Sequence, residues 1–124
     1  MNLVPSRRAG AALVVAAVAG GTIAAGAASA ATTLRINTKK QGVDFTKSSA
    51  RAAAGRVTIV TRVPRGSQFP HAIAIKGNGV DVQGRVVQSG VSRVSANLRA
   101  GRYTFYCPVG EHEENGMRGT LRVR

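Results

Sequence analysis

The sequence predicts an all-β protein, a small sandwich or barrel, on three observations. Apolar and polar residues alternate with a period of two through most of the chain after Ala31. Turns containing glycine or proline cut that alternation into short segments at close spacing. No stretch shows the three-to-four-residue apolar spacing of an amphipathic helix. With 124 residues, the chain has room for one domain.

The first thirty residues differ from the rest. Arg7 and Arg8 precede an apolar stretch of small and β-branched residues from Ala11 to Ala19, and Ala28-Ser29-Ala30 offers small side chains before a cut at Ala31. That is the pattern of a cleaved secretory signal over Met1–Ala30. An uncleaved anchor is the competing reading, disfavoured by the high Ala and Gly content. Ser6-Arg7-Arg8 hints at twin-arginine export, although Gly10-Ala11 stands where a more apolar pair is usual. The expected mature domain is 31–124, in the periplasm, cell envelope or medium.

Along that domain, Thr33 to Asn37 places Leu34 and Ile36 on one face, and Val43 with Phe45 offers a second short segment. Ser48 to Ala54 suits a helical turn or an edge strand equally. Arg56 to Val63 is the clearest strand, with Val57, Ile59 and Val63 inward, and Pro64-Arg65-Gly66-Ser67 stops it. In Phe69 to Gly77 the alternation sets His71, Ile73 and Ile75 on one side. Gly77-Asn78-Gly79 and Gln83-Gly84 mark turns around Val80 and Val82. These glycines lack the Lys-Ser/Thr of a phosphate loop. Val94 to Leu98 alternates again, and Arg99 to Arg102 links it to a strand in which Tyr103, Phe105 and Cys107 share a face. Leu121 and Val123 point inward in a final strand.

Eighteen Lys and Arg oppose five Asp and Glu, a net charge of +13. Loss of Arg7 and Arg8 with the signal leaves 16 basic residues and +11. The basic residues are scattered, aromatics are few and tryptophan is absent, which argues against a nucleic-acid-binding protein. Arg35, Arg56, Arg62, Arg122 and Arg124 fall on predicted solvent faces. They blunt strand edges there, or serve an acidic redox partner or an anionic membrane surface. Three of the five acids, Glu111, Glu113 and Glu114, flank His112 instead.

That histidine belongs to the most informative stretch of the chain. Cys107, His112 and Met117 follow the spacing Cys-x4-His-x4-Met, and they are the sole cysteine, one of two histidines and the one methionine besides Met1. A lone cysteine rules out an internal disulfide, a four-cysteine zinc site and a dinuclear copper site. Individually, a buried Cys, Met or His71 is ordinary core. Together, one thiolate, two imidazoles and one thioether make the set of a type 1 copper ion: a trigonal plane of His71, Cys107 and His112 with a long axial Met117. The soft thiolate suits Cu(I), the imidazoles suit both oxidation states, and the weak axial ligand commits the ion to neither geometry.

Gly101-Arg102-Tyr103-Thr104-Phe105-Tyr106-Cys107, then His112, then Gly116 to Val123, closely resembles the cupredoxins of the plastocyanin/azurin family. Pro70-His71 before an apolar strand resembles their upstream ligand segment. The resemblance runs from about Val43 onward and implies a Greek-key β-sandwich with copper at one end and His112 near the surface as the electron port. Two positions depart from it. Ala72 stands where plastocyanin-like members often have Asn, and Gly110-Glu111 where many small bacterial relatives have Pro-Gly.

The expected function is that of an exported, monomeric one-electron carrier without catalysis of its own, serving redox proteins of the envelope. A copper chaperone or storage protein is the alternative, but the mature chain has one Met and two His where delivery proteins carry rich tracts. A multicopper enzyme would need a longer chain and further histidines.

Overall fold

The computed structural model describes residues 30–124, which form eight strands and no helix. The expected signal segment lies outside the described residues except for Ala30. The strands are β1 (Ala30–Arg35), β2 (Ser49–Ala52), β3 (Gly55–Val63), β4 (Ala74–Gly77), β5 (Val80–Gln83), β6 (Gly90–Leu98), β7 (Gly101–Tyr106) and β8 (Arg118–Val123). One sheet has the order β1-β3-β6 and the other the order β2-β8-β7-β4-β5. Successive strands repeatedly change sheet, so neighbours are mostly distant in sequence, as in a Greek-key sandwich.

The period-two pattern explains which side chains meet between the sheets. Val57 and Ile59 of β3, Val94, Ala96 and Leu98 of β6, Ile75 of β4, Tyr103 and Phe105 of β7, and Leu121 and Val123 of β8 are all buried in one cluster. Phe45 packs edge-on against Phe105, with ring centroids 5.5 Å apart. The arginines expected outside, Arg35, Arg56, Arg62, Arg122 and Arg124, are exposed. The ambiguous stretch after Ser48 is resolved as an edge strand, β2, paired in parallel with β8.

The segment from His71 to Ile75 is buried on both sides, Ala72 and Ala74 included. Its register supplies the reason. Ala74 lies opposite Tyr106 of β7 and Gln83 of β5, and the Tyr106 hydroxyl donates to Asp81 Oδ1 at 2.8 Å and accepts from Gln83 Nε2 at 3.3 Å. The Tyr106 ring therefore crosses β4 over Ala74, where a larger side chain would block it.

Two glycine-dependent features shape the five-stranded sheet. Asn78-Gly79 links β4 to β5 with φ of 50° and 83°, the paired positive values of a tight hairpin turn. Gly119 admits the Phe105 ring and the Ser48 carbonyl, both of which a Cβ would overlap. Gly119→Ala is expected to lower stability by about 1–3 kcal/mol in urea titration, because neither the core ring nor the Ser48 backbone just before β2 can retreat freely.

Candidate metal centre

The site is assembled where β7 runs out. Cys107 follows its last residue and takes the inward direction that Tyr103 and Phe105 set. A compact turn carries the chain from there to β8. His112 N–H donates to the Val109 carbonyl at 3.0 Å, Met117 N–H to the His112 carbonyl at 2.9 Å, and Cys107 N–H to the Met117 carbonyl at 3.1 Å. These bonds join the backbones of the three residues in the Cys-x4-His-x4-Met run. Gly116 N–H closes on the Glu113 carbonyl at 2.9 Å, and Gly116 takes a φ of 103° that a residue with Cβ rarely adopts.

His71 arrives from the other side. It pairs with Val87 through two backbone hydrogen bonds, His71 N–H to the Val87 carbonyl at 3.0 Å and the reverse at 2.9 Å. Ser92, fully buried in β6, secures the same segment. Its hydroxyl accepts from Ile73 N–H at 3.2 Å and donates to the Arg85 carbonyl at 2.7 Å.

The result is a close cluster. Cys107 Sγ lies 3.5 Å from His112 Nδ1 and 3.9 Å from His71 Nδ1, and the ligand atoms of the three residues all lie within 4.8 Å of one another. Ligand arms of about 2.0–2.3 Å, as in small-ion sites with these donors, put trigonal neighbours about 3.6 Å apart. The donor set fits a single ion in that plane. Met117 is fully buried, as are Cys107 and His71, whereas His112 is only half-buried. Phe69, partly exposed, sets its ring edge-on to His112 at 5.8 Å between centroids.

Electrostatics match that reading. Burial, with His112 adding repulsion, lowers the His71 pKa to about 4, so its ring is neutral and holds a lone pair at pH 7. Burial pushes the Cys107 thiol up, while backbone N–H groups of Ala72 and Val109 pull it the other way. A thiol held protonated until a cation displaces its proton is the expected state of a metal-free site. His71 Nε2 is buried without a hydrogen-bond partner. The backbone bridge to Val87, rather than a partner on Nε2, therefore holds this histidine.

The sign of the His71 shift gives a test. Unfolding restores a pKa near 6.5, so the metal-free chain keeps the full contribution above that value. It loses the contribution as pH falls toward 4, where the unfolded chain takes a proton that the folded chain refuses. The expected loss is about 3 kcal/mol, read as a falling urea midpoint that flattens in His71→Gln. A level profile in the unsubstituted chain would contradict it.

Sequence reasoning missed one contact of the ligand loop. Of the three acids that flank His112, Glu113 has a basic partner from another strand: Lys76 Nζ meets its Oε2 at 2.6 Å. Lys76 also stands 4.4 Å above the Tyr106 ring, next to Cys107. The ion pair ties the loop to β4 and raises the Lys76 pKa, chiefly through the hydrogen bond to Glu113. No local pattern signals a pair 37 residues apart, though Lys76 follows Ile75 on the outward side of an otherwise apolar run.

Two sheets with a thiol–diimidazole cluster at one end define a cupredoxin-like fold. Solved structures of auracyanins and amicyanin share it. Auracyanin B matches with a TM-score of 0.66 at 16% identity, over 78% of this chain and 91% of that one. Auracyanin A, described as a "blue" copper protein from the green thermophilic photosynthetic bacterium Chloroflexus aurantiacus, matches with a TM-score of 0.63 at 21% identity, over 77% and 100%. Amicyanin from Paracoccus versutus matches at 0.54 and 18%, over 74% and 81%. At these identities the likeness is one of fold. No protein-family model and no curated protein matches the chain.

Proposed function

We propose that this chain is an exported type 1 copper protein that carries single electrons by cycling one ion between Cu(I) and Cu(II). His71, Cys107, His112 and Met117 are the residues that would hold it. The observation that carries this reading is the convergence of one ligand atom each from His71, Cys107 and His112 within 4.8 Å of one another at the end of the sandwich. That soft, low-coordinate set suits a blue-copper electron-transfer site. Copper, when bound, supplies the one-electron couple.

The chain's own residues supply the rest. The His71–Val87 bridge and the hydrogen bonds closing the 107–117 turn hold the ligands where the fold puts them. The Lys76–Glu113 pair ties the turn to the sheet, so little rearrangement accompanies a change of charge at the site. Burial of Cys107, His71 and Met117 keeps water from the thiolate, and half-buried His112 is the edge through which an electron enters or leaves.

The signal-like Met1–Ala30 supports export to the envelope or medium. Redox proteins there, acidic ones among them, are the proposed partners, and the chain acts as a monomer and not as an enzyme. The deciding experiment is reduction and reoxidation of the copper-loaded chain. A carrier keeps its ion through repeated cycles, with a reversible potential. Release of the ion on reduction would instead mark a chaperone or storage protein.

A further inference from the structure

The outer face of the five-stranded sheet carries a row of three arginines that the metal centre does not use. Arg51 of β2 lies opposite Arg122 of β8, and Arg122 lies opposite Arg102 of β7. All three are exposed. With strands about 4.8 Å apart, three like charges stand side by side across about 10 Å. Like charges directly opposite one another destabilise a sheet. No ion pair among the described residues relieves them: those pairs are Lys39–Asp44 and Lys76–Glu113, and none of the five acids lies on β2, β7 or β8. Together with the Ser49 and Thr120 hydroxyls, the arginines line a concave patch.

We propose that Arg51, Arg102 and Arg122 form a phosphate-binding face that seats the protein on an anionic lipid surface. The chemistry favours phosphate headgroups. Guanidinium forks pair bidentately with tetrahedral oxyanions, and neighbouring hydroxyls add donors. Among the described residues the exposed large apolar side chains, Phe69, Val86 and Val91, lie off this sheet, so they give the face no apolar anchors of a protein–protein core. Position matters as well. Arg102 precedes Cys107 by five residues along an extended strand, about 16 Å. Electron tunnelling decays steeply with distance, so the row suits a seat better than an electron-exchange contact. A chain seated there leaves the Cys107–His112 end clear. The seat itself stands on the arginine row alone; only that last consequence rests on the metal reading.

The test is sedimentation of the full chain with phosphatidylcholine vesicles, with and without phosphatidylglycerol. The difference between the two vesicles cancels any apolar contribution from residues 1–29. Preferential binding to the anionic vesicles, weakening as salt rises, is expected. Replacing Arg51, Arg102 and Arg122 together by Gln is expected to weaken it on the order of 100-fold, and Arg122→Gln alone roughly fivefold. Replacing Arg35, Arg56 and Arg62 of the other sheet's outer face by Gln, with the same loss of charge, is expected to cost less than tenfold. The row variant should melt no lower than the parent, since its cross-strand repulsion is relieved. Equal losses in the two triple variants, or an unchanged row variant, would overturn the proposal. Metal-free and copper-loaded chains should bind alike. Vesicle binding that required copper would overturn the seat and leave the metal reading intact, whereas loss of the copper signature with binding retained would do the reverse.

Discussion

Phe105→Ala is expected to destabilise the protein by about 3–5 kcal/mol, the cost of emptying a large aromatic site in a packed core. Phe105 is fully buried, meets the Phe45 ring edge-on, and occupies the notch that Gly119 leaves open. It also stands two residues before Cys107 on the same face of β7, so its loss loosens the strand that aims the thiol. A domain of this size has only about 5–15 kcal/mol of stability to lose. Urea unfolding should show the midpoint collapse, and copper affinity should fall with it. A variant within 1 kcal/mol of the parent would mean that Phe105 is not a keystone of the core.

The second large effect is stabilisation by the ion itself. The metal-free site keeps a buried neutral His71, a thiol with a raised pKa, and donor atoms already gathered. An unfolded chain has no such cluster, so binding is linked to folding. At free copper a thousandfold above the dissociation constant, the folded state gains about 4 kcal/mol, or roughly 15–30 °C in melting temperature for a domain of this length. Scanning calorimetry of loaded and stripped protein measures it. His71→Gln and Cys107→Ser should each erase most of the increment, and an equal increment in those variants would place the bound copper elsewhere.

Much of this was legible in one chain because alternation is a local signal. Tyr103, Phe105 and Cys107 could be set on one face from sequence, and the spacing from Cys107 to Met117 pointed to a single loop. Other features arise from contacts between distant residues. The parallel pairing of β1 with β3 and of β2 with β8 depends on which strands meet across the sandwich, which no local pattern states. His71 was read as the start of a strand, yet it is held by a bridge to Val87, in a stretch with no alternation to mark it. β6 begins at Gly90, ahead of the expected Val94, because Ser92 takes an inward position that hydropathy assigns to the surface. Its hydroxyl is satisfied there by Ile73 N–H and the Arg85 carbonyl, which explains how a polar residue can hold a core position. The Lys76 partner of Glu113 was invisible for a similar reason, since it reaches the ligand loop from another strand.

A copper–thiolate bond at Cys107 is open to a direct test, the addition of Cu(II) to the purified chain while the visible spectrum is recorded. An intense charge-transfer band that saturates at one copper per chain and is absent in Cys107→Ser is expected. A colourless complex, or a band that survives that substitution, would contradict it.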